Sequence, residues 1–76
     1  MEIVEHCKTL RKTIKAIAEE VKASHEKVFE QSQGMGTMDE DEMHANLTIA
    51  YRHLEDAAMR IGKVIQAYDG GKSVYD

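Results

Sequence analysis

The chain of 76 residues has no proline, no tryptophan, a single cysteine, a single phenylalanine and three tyrosines. Without proline, nothing forces a break into a helix. The shortage of aromatic residues and the lack of alternating apolar and polar stretches speak against a β-rich fold. Cys7 alone cannot form an internal disulfide, and its place on an apolar helix face marks it as a packed thiol. No apolar run approaches the roughly 18 residues of a membrane span. Met1 to Leu10 carries Glu2, Glu5, His6 and Lys8 where a secretory signal would be apolar, so a soluble protein that stays where it is made is expected. Positive charge is also in short supply: the formal net charge is -4 and the pI about 5.5. An acidic balance argues against broad binding to DNA, RNA or an anionic membrane.

Catalytic constellations are missing as well. His6, His25, His44 and His53 show no HExxH spacing, Ser24, Ser32 and Ser73 have no nucleophile-elbow context, and no second cysteine accompanies Cys7. His6 and Cys7 are adjacent, so on a helix they point about 100° apart and do not share a metal. The acidic run Asp39 to Glu42 lacks the ligand spacing of a calcium loop and suits the positive end of a helix dipole instead. Neither an enzyme nor a cofactor or metal site is expected.

What the chain does have is helical periodicity. Ile3, Cys7, Leu10, Ile14, Ile17, Val21 and Val28, with Ser24 in phase, follow a heptad rhythm that predicts a helix over about 2–32. Val4, Ala16 and Ala18 widen that stripe. A Gly-containing loop follows at about 33–37, with Gly34 as a helix C-cap and Thr37 with Glu40 as a capping box. A second helix is predicted over about 38–69, with its stripe at Leu47, Tyr51, Leu54, Ala58, Ile61, Ile65 and Tyr68, before Gly70-Gly71 and a short tail, 70–76.

Folding the chain back at the loop pairs Ile3 with Tyr68, Cys7 with Ile65, Leu10 with Ile61, Ile14 with Ala58, Ile17 with Leu54 and Val21 with Tyr51. The expected fold is therefore all-α: an antiparallel two-helix hairpin forming one domain over 1–76. Two helices bury only one seam, which leaves Val4, Met35, Ile49, Met59 and Val64 outside it. A compact homo-oligomer would cover them.

Charge is segregated along this hairpin. Lys8, Arg11, Lys12 and Lys15 stand at i, i+3, i+4 and i+7 on one face of the first helix, and the pairing brings Arg60 and Lys63 to the same level. Acidic residues gather at the loop end. A compact cationic cluster on an acidic protein suits a small anion better than a polymer, because the rest of the surface repels a long phosphate chain. The plainer alternative is a solvated helix face paired with Glu5 or Asp56. Tyr51 and Tyr68 lie on the seam as core residues, with aromatic faces that could also stack on nucleobases.

Leu47-Thr48-Ile49-Ala50, then His53-Leu54-Glu55 and Met59, resembles the C-terminal helix of the phage-encoded anti-CBASS proteins that act as cyclic-oligonucleotide sponges. The segment around Ile3 to Leu10, with Lys8, resembles that family's first long helix more loosely. The resemblance implies a helical hairpin assembling into a homohexamer. It also implies pockets between protomers for cyclic dinucleotides and cyclic trinucleotides, which are held without cleavage in the cytoplasm of the infected bacterium. Carried over by position, Lys8 matches the family's phosphate-contacting lysine, and Thr48 or its neighbour Asn46 matches a polar residue of the trinucleotide pocket. The family's cation after Ile-Ala falls here as Tyr51-Arg52, and its base-stacking tyrosine ahead of the first helix has no counterpart in this sequence, which leaves Tyr51, Tyr75 or another aromatic as the candidate for base stacking. The candidate ligand-binding residues are thus Lys8, Arg11, Lys12, Asn46, Thr48, Tyr51 and Arg52. The rival expectation is a small helical interaction protein that binds a host protein through an exposed helix face.

Overall fold

Two long amphipathic segments separated by a short glycine-containing stretch can bury their apolar stripes only against each other, and the chain does so. The computed structural model describes residues 2–33, 36, 38–68 and 70. It consists of α1, Ile3–Ser32, and α2, Glu40–Tyr68, packed side by side, with no strand among the described residues. At 1.5 Å per residue each helix is about 45 Å long.

The helix ends are capped by their own sequence. Glu2 precedes α1 in extended backbone, and its carboxylate accepts from the backbone N–H of Val4 at 3.0 Å and of Glu5 at 3.2 Å. For α2 the cap is Asp39, whose Oδ1 accepts from Glu42 N–H at 3.1 Å, with three carboxylates in the first turn on the positive end of the dipole. This differs from the expected Thr37–Glu40 box. Thr37 lies outside the described residues, as do Gly34, Met35 and residues 71–76. Asp39→Ala should lower stability by about 1 kcal/mol, read as a drop in melting temperature; an unchanged melt would show that the first turn is held by something else. At the other end Gly70 adopts φ 77° and its N–H bonds to the Ala67 carbonyl at 3.1 Å, the left-handed stop that a residue without Cβ permits.

The seam follows the predicted heptads with one rotation. Partly or fully buried positions of α1 recur at Val4, Cys7, Arg11, Ile14, Ala18, Val21, His25, Val28 and Ser32. Those of α2 recur at Glu40, His44, Leu47, Tyr51, Leu54, Ala58, Ile61 and Ile65. Ile17 and Ile3, expected in the seam, are 44% and 45% exposed, and Tyr68 is 61% exposed, whereas Ala18 is 5% exposed. Small residues explain the shift: Ala18, Ala58 and Gly62 are all buried, and side chains of that size let two helix backbones approach closely where a facing isoleucine would hold them apart. The register holds within a turn. Arg11 meets Gly62, close to the expected level of Arg60 and Ile61, and His25 meets His44, close to Asn46 and Leu47.

The rotation gives the hairpin two unlike flanks. Helical spacing puts Ile3, Leu10 and Ile17 of α1 on one side with Met43, Ala50, Ala57 and Val64 of α2; Ile3, Ile17, Met43 and Val64 are among the exposed large apolar residues. The opposite flank carries Lys8 and Lys15 with Glu55 and Gly62. The two flanks differ in chemistry along most of their length.

Candidate functional site

On the polar flank the small seam residues leave a cleft of about 480 Å³ whose floor includes Ala18, Ala58 and Gly62. Arg11, Lys15 and Lys63 line it together with Tyr51, and Glu19 and Glu55 stand among them. A second, smaller depression of about 300 Å³ runs along α1 between Glu5, Lys8, Thr9, Arg11, Lys12 and Lys15. Arg11 and Lys15 belong to both. The two depressions are therefore contiguous, and five cations from two helices border one continuous surface.

Arg11 is positioned by the fold. It occupies a heptad position of the seam, where an aliphatic side chain would point at α2; its stem is half-buried and its guanidinium lies against Gly62. A methyl group at residue 62 would meet Arg11 Cζ and Nε at 3.5 Å, ordinary van der Waals contact. Gly62→Ala should thus keep the guanidinium in place while removing the entropic penalty of glycine in a helix. The expected gain is about 0.5–1 kcal/mol, and a lower melting temperature would contradict the contact described. Lys8 sits at the outer edge, its Nζ 3.5 Å from Glu5 Oε1 with both side chains more than half exposed. A pair that exposed contributes little to stability and leaves Lys8 able to change partner.

The seven residues predicted from sequence do not form one group within a single hairpin. Lys8, Arg11 and Lys12 come together, and Tyr51 joins Arg11 across the seam. Asn46 lies toward the loop, beside an apolar cleft of about 460 Å³ bordered by Val28, Met43 and Leu47, and its Nδ2 donates to the Glu42 carbonyl at 2.9 Å and to Glu42 Oε1 at 3.0 Å. Thr48 turns its hydroxyl back to the His44 carbonyl at 3.0 Å. Arg52 is exposed and, like Thr48, borders none of these three clefts. Lys63 joins as its level predicts, whereas Arg60 does not line the cleft. Sequence reasoning did not single out Glu19, Glu55 and Gln66 as wall residues. Their signal is helical spacing from Lys15, Tyr51 and Gly62.

Chemically, the cleft presents guanidinium, ammonium, carboxylate and phenol groups over a floor of small apolar residues. Among the described residues no three His, Cys, Asp or Glu side chains are grouped to hold a metal ion, and no helix is long and apolar enough to cross a membrane. Cys7 is a free thiol, 3% exposed within the seam. Compared with protein-family models, curated proteins and solved structures, the chain matches none.

Proposed function

We propose that this protein binds cyclic di- and trinucleotide second messengers and holds them intact, which in an infected bacterium would keep them from the effectors of CBASS antiphage signalling. The observation that carries this reading is the continuity of the cationic surface through Arg11 and Lys15. A cyclic dinucleotide presents two phosphodiesters on a compact ring. Lysines supply point charges to such groups and Arg11 a planar fork, while Tyr51 in the same cleft offers an aromatic face for a base. The cleft volume falls in the range of small-molecule sites. Glu19 and Glu55 lie where they can accept from base amino groups, and they repel polymeric phosphate.

In this reading several copies of the chain, a homohexamer as in the family it resembles, complete the pockets. The exposed apolar flank supplies a surface for self-association. Asn46, Thr48 and Arg52, separated from the cationic cleft within one hairpin, then contribute to a second class of pocket between copies. The same flank also favours the second reading, a helical interaction protein seated on a host protein through Ile3, Ile17, Met43 and Val64.

Calorimetric titration with 3′,3′-cyclic GMP-AMP and with a cyclic triadenylate, followed by recovery of the ligand after denaturation, separates these. Binding with intact ligand is expected. The absence of heat with both ligands rejects the sponge, and degraded ligand turns it into an enzyme.

A further inference from the structure

The apolar flank is patterned in its own right. Ile3, Leu10 and Ile17 of α1 and Met43, Ala50, Ala57 and Val64 of α2 recur at steps of seven, the spacing of a helix-packing seam. Ile3, Ile17, Met43 and Val64 nevertheless stay 40–45% exposed within one hairpin. The two ends of the flank differ in shape. Toward the loop it holds the apolar cleft of about 460 Å³ between Ser24, Val28, Met43 and Leu47, whereas Ile3, Leu10 and Val64 stand at the other end.

We infer that a second copy of the chain covers this flank, antiparallel to the first about a two-fold axis at mid-length, with the apolar residues at the far end of each copy seated over the loop-end cleft of the other. Register places the axis. Arg11 meets Gly62 and His25 meets His44, so Ala18, midway between Arg11 and His25, lies level with His53. That level is within a residue of the middle of α1, Ile3–Ser32, and of the middle of the row from Met43 to Val64. One axis therefore serves both helices, and it lays α1 on α1 and α2 on α2 of the second copy. Ile17 comes beside its own counterpart, Ala50 against Ala57, Met43 against Val64, and Leu10 over the span from Ser24 to Val28 that borders the cleft. The two alanines permit close approach of the α2 helices near the axis.

Charge selects this orientation. Residues 17–53, the half toward the loop, hold eight carboxylates and three Lys or Arg side chains, whereas residues 2–16 and 54–68 hold six Lys or Arg side chains and four carboxylates. Antiparallel packing sets each acidic half beside a basic one. A two-fold axis along the helices would instead bring loop end to loop end, acid beside acid and cleft over cleft, leaving both clefts unfilled. Such a pair specifies the self-association proposed above and needs no ligand, so a failed nucleotide titration leaves it standing.

Sedimentation of the ligand-free protein should give a mass of two or another even multiple of the 8.6 kDa chain, with association weakening as salt rises because unlike charges are apposed. Chains carrying Ala50→Cys and chains carrying Ala57→Cys, mixed and oxidised, should join to each other. Neither should join to itself, since its two copies stand about 10 Å apart along α2, beyond the reach of a disulfide. Cys7, buried in the seam, does not compete. Ile17→Glu, at an exposed position beside the axis, should lower the mass with helical content retained. Should that variant not fold, the cross-links and the salt dependence of the parent decide. A parent that is monomeric at the cross-linking concentration, association that strengthens with salt, or Ala57→Cys joining to Ile17→Cys in preference to Ala50→Cys, as the loop-to-loop arrangement requires, would overturn the antiparallel pair.

Discussion

Arg11→Ala combined with Lys15→Ala should lower the proposed affinity for a cyclic dinucleotide by roughly 100-fold or more, corresponding to about 3 kcal/mol from two charge-assisted contacts. These two residues are chosen because they are the ones shared by both cationic depressions. Lys15 is exposed and Arg11 rests its guanidinium on Gly62, so helical content by circular dichroism should persist in the double variant. Lys8→Ala, at the outer edge and already near Glu5, should have the smaller effect of the two variants. Calorimetry on both checks the order. Equal losses would move the phosphate site outward along α1, and an unaltered double variant would remove the cleft from the reading altogether.

Ile65→Ala should be the most damaging single truncation for the fold. Ile65 is 3% exposed and the largest of the buried apolar side chains, in a seam whose other buried members include Cys7, Ala18 and Ala58. Losing its branched side chain removes about 2–5 kcal/mol through lost burial and a residual cavity. A domain of this length has a total stability of about 4–11 kcal/mol, so the melting temperature should fall by roughly 10–20 °C or the hairpin should fail to form. The melts are compared at one protein concentration, since association makes the midpoint concentration-dependent. A shift of only a few degrees would mean that Ile65 is not packed as described.

Most of the hairpin was legible because a heptad rhythm in two segments leaves few ways to bury both. Cys7, Leu10, Ile14, Val21 and Val28 on one side, and Leu47, Tyr51, Leu54, Ala58, Ile61 and Ile65 on the other, are partly or fully buried as their spacing requires. What hydrophobicity could not rank was Ile17 against Ala18. The greasier residue is exposed, because close approach of helices selects small side chains at the point of contact. The seam positions of Arg11 and of the two histidines escaped for a related reason: a polar residue on the seam reads as an interruption. Steps of seven from Arg11 reach Ala18, His25 and Ser32, and steps of seven from His44 reach Tyr51, Ala58 and Ile65, which is the signal that would have found the pair. The site was legible where its residues share one helix face, as Lys8, Arg11, Lys12 and Lys15 do. It was not legible for Asn46, Thr48 and Arg52, whose relation to the cleft is decided by which chain is next to which.

The placement of the apolar row and the cationic cleft on opposite flanks limits the symmetry of any assembly. A simple two-fold pair joined through Ile3, Ile17, Met43 and Val64 would turn both clefts outward, leaving each as open as in a lone hairpin. Enclosing a ligand on the polar flank requires a second kind of contact, and a subunit with two different contact surfaces propagates until a ring or a dihedral arrangement closes. An assembly that both covered the apolar row between copies and enclosed a ligand in the cleft would therefore have more than two copies of the chain.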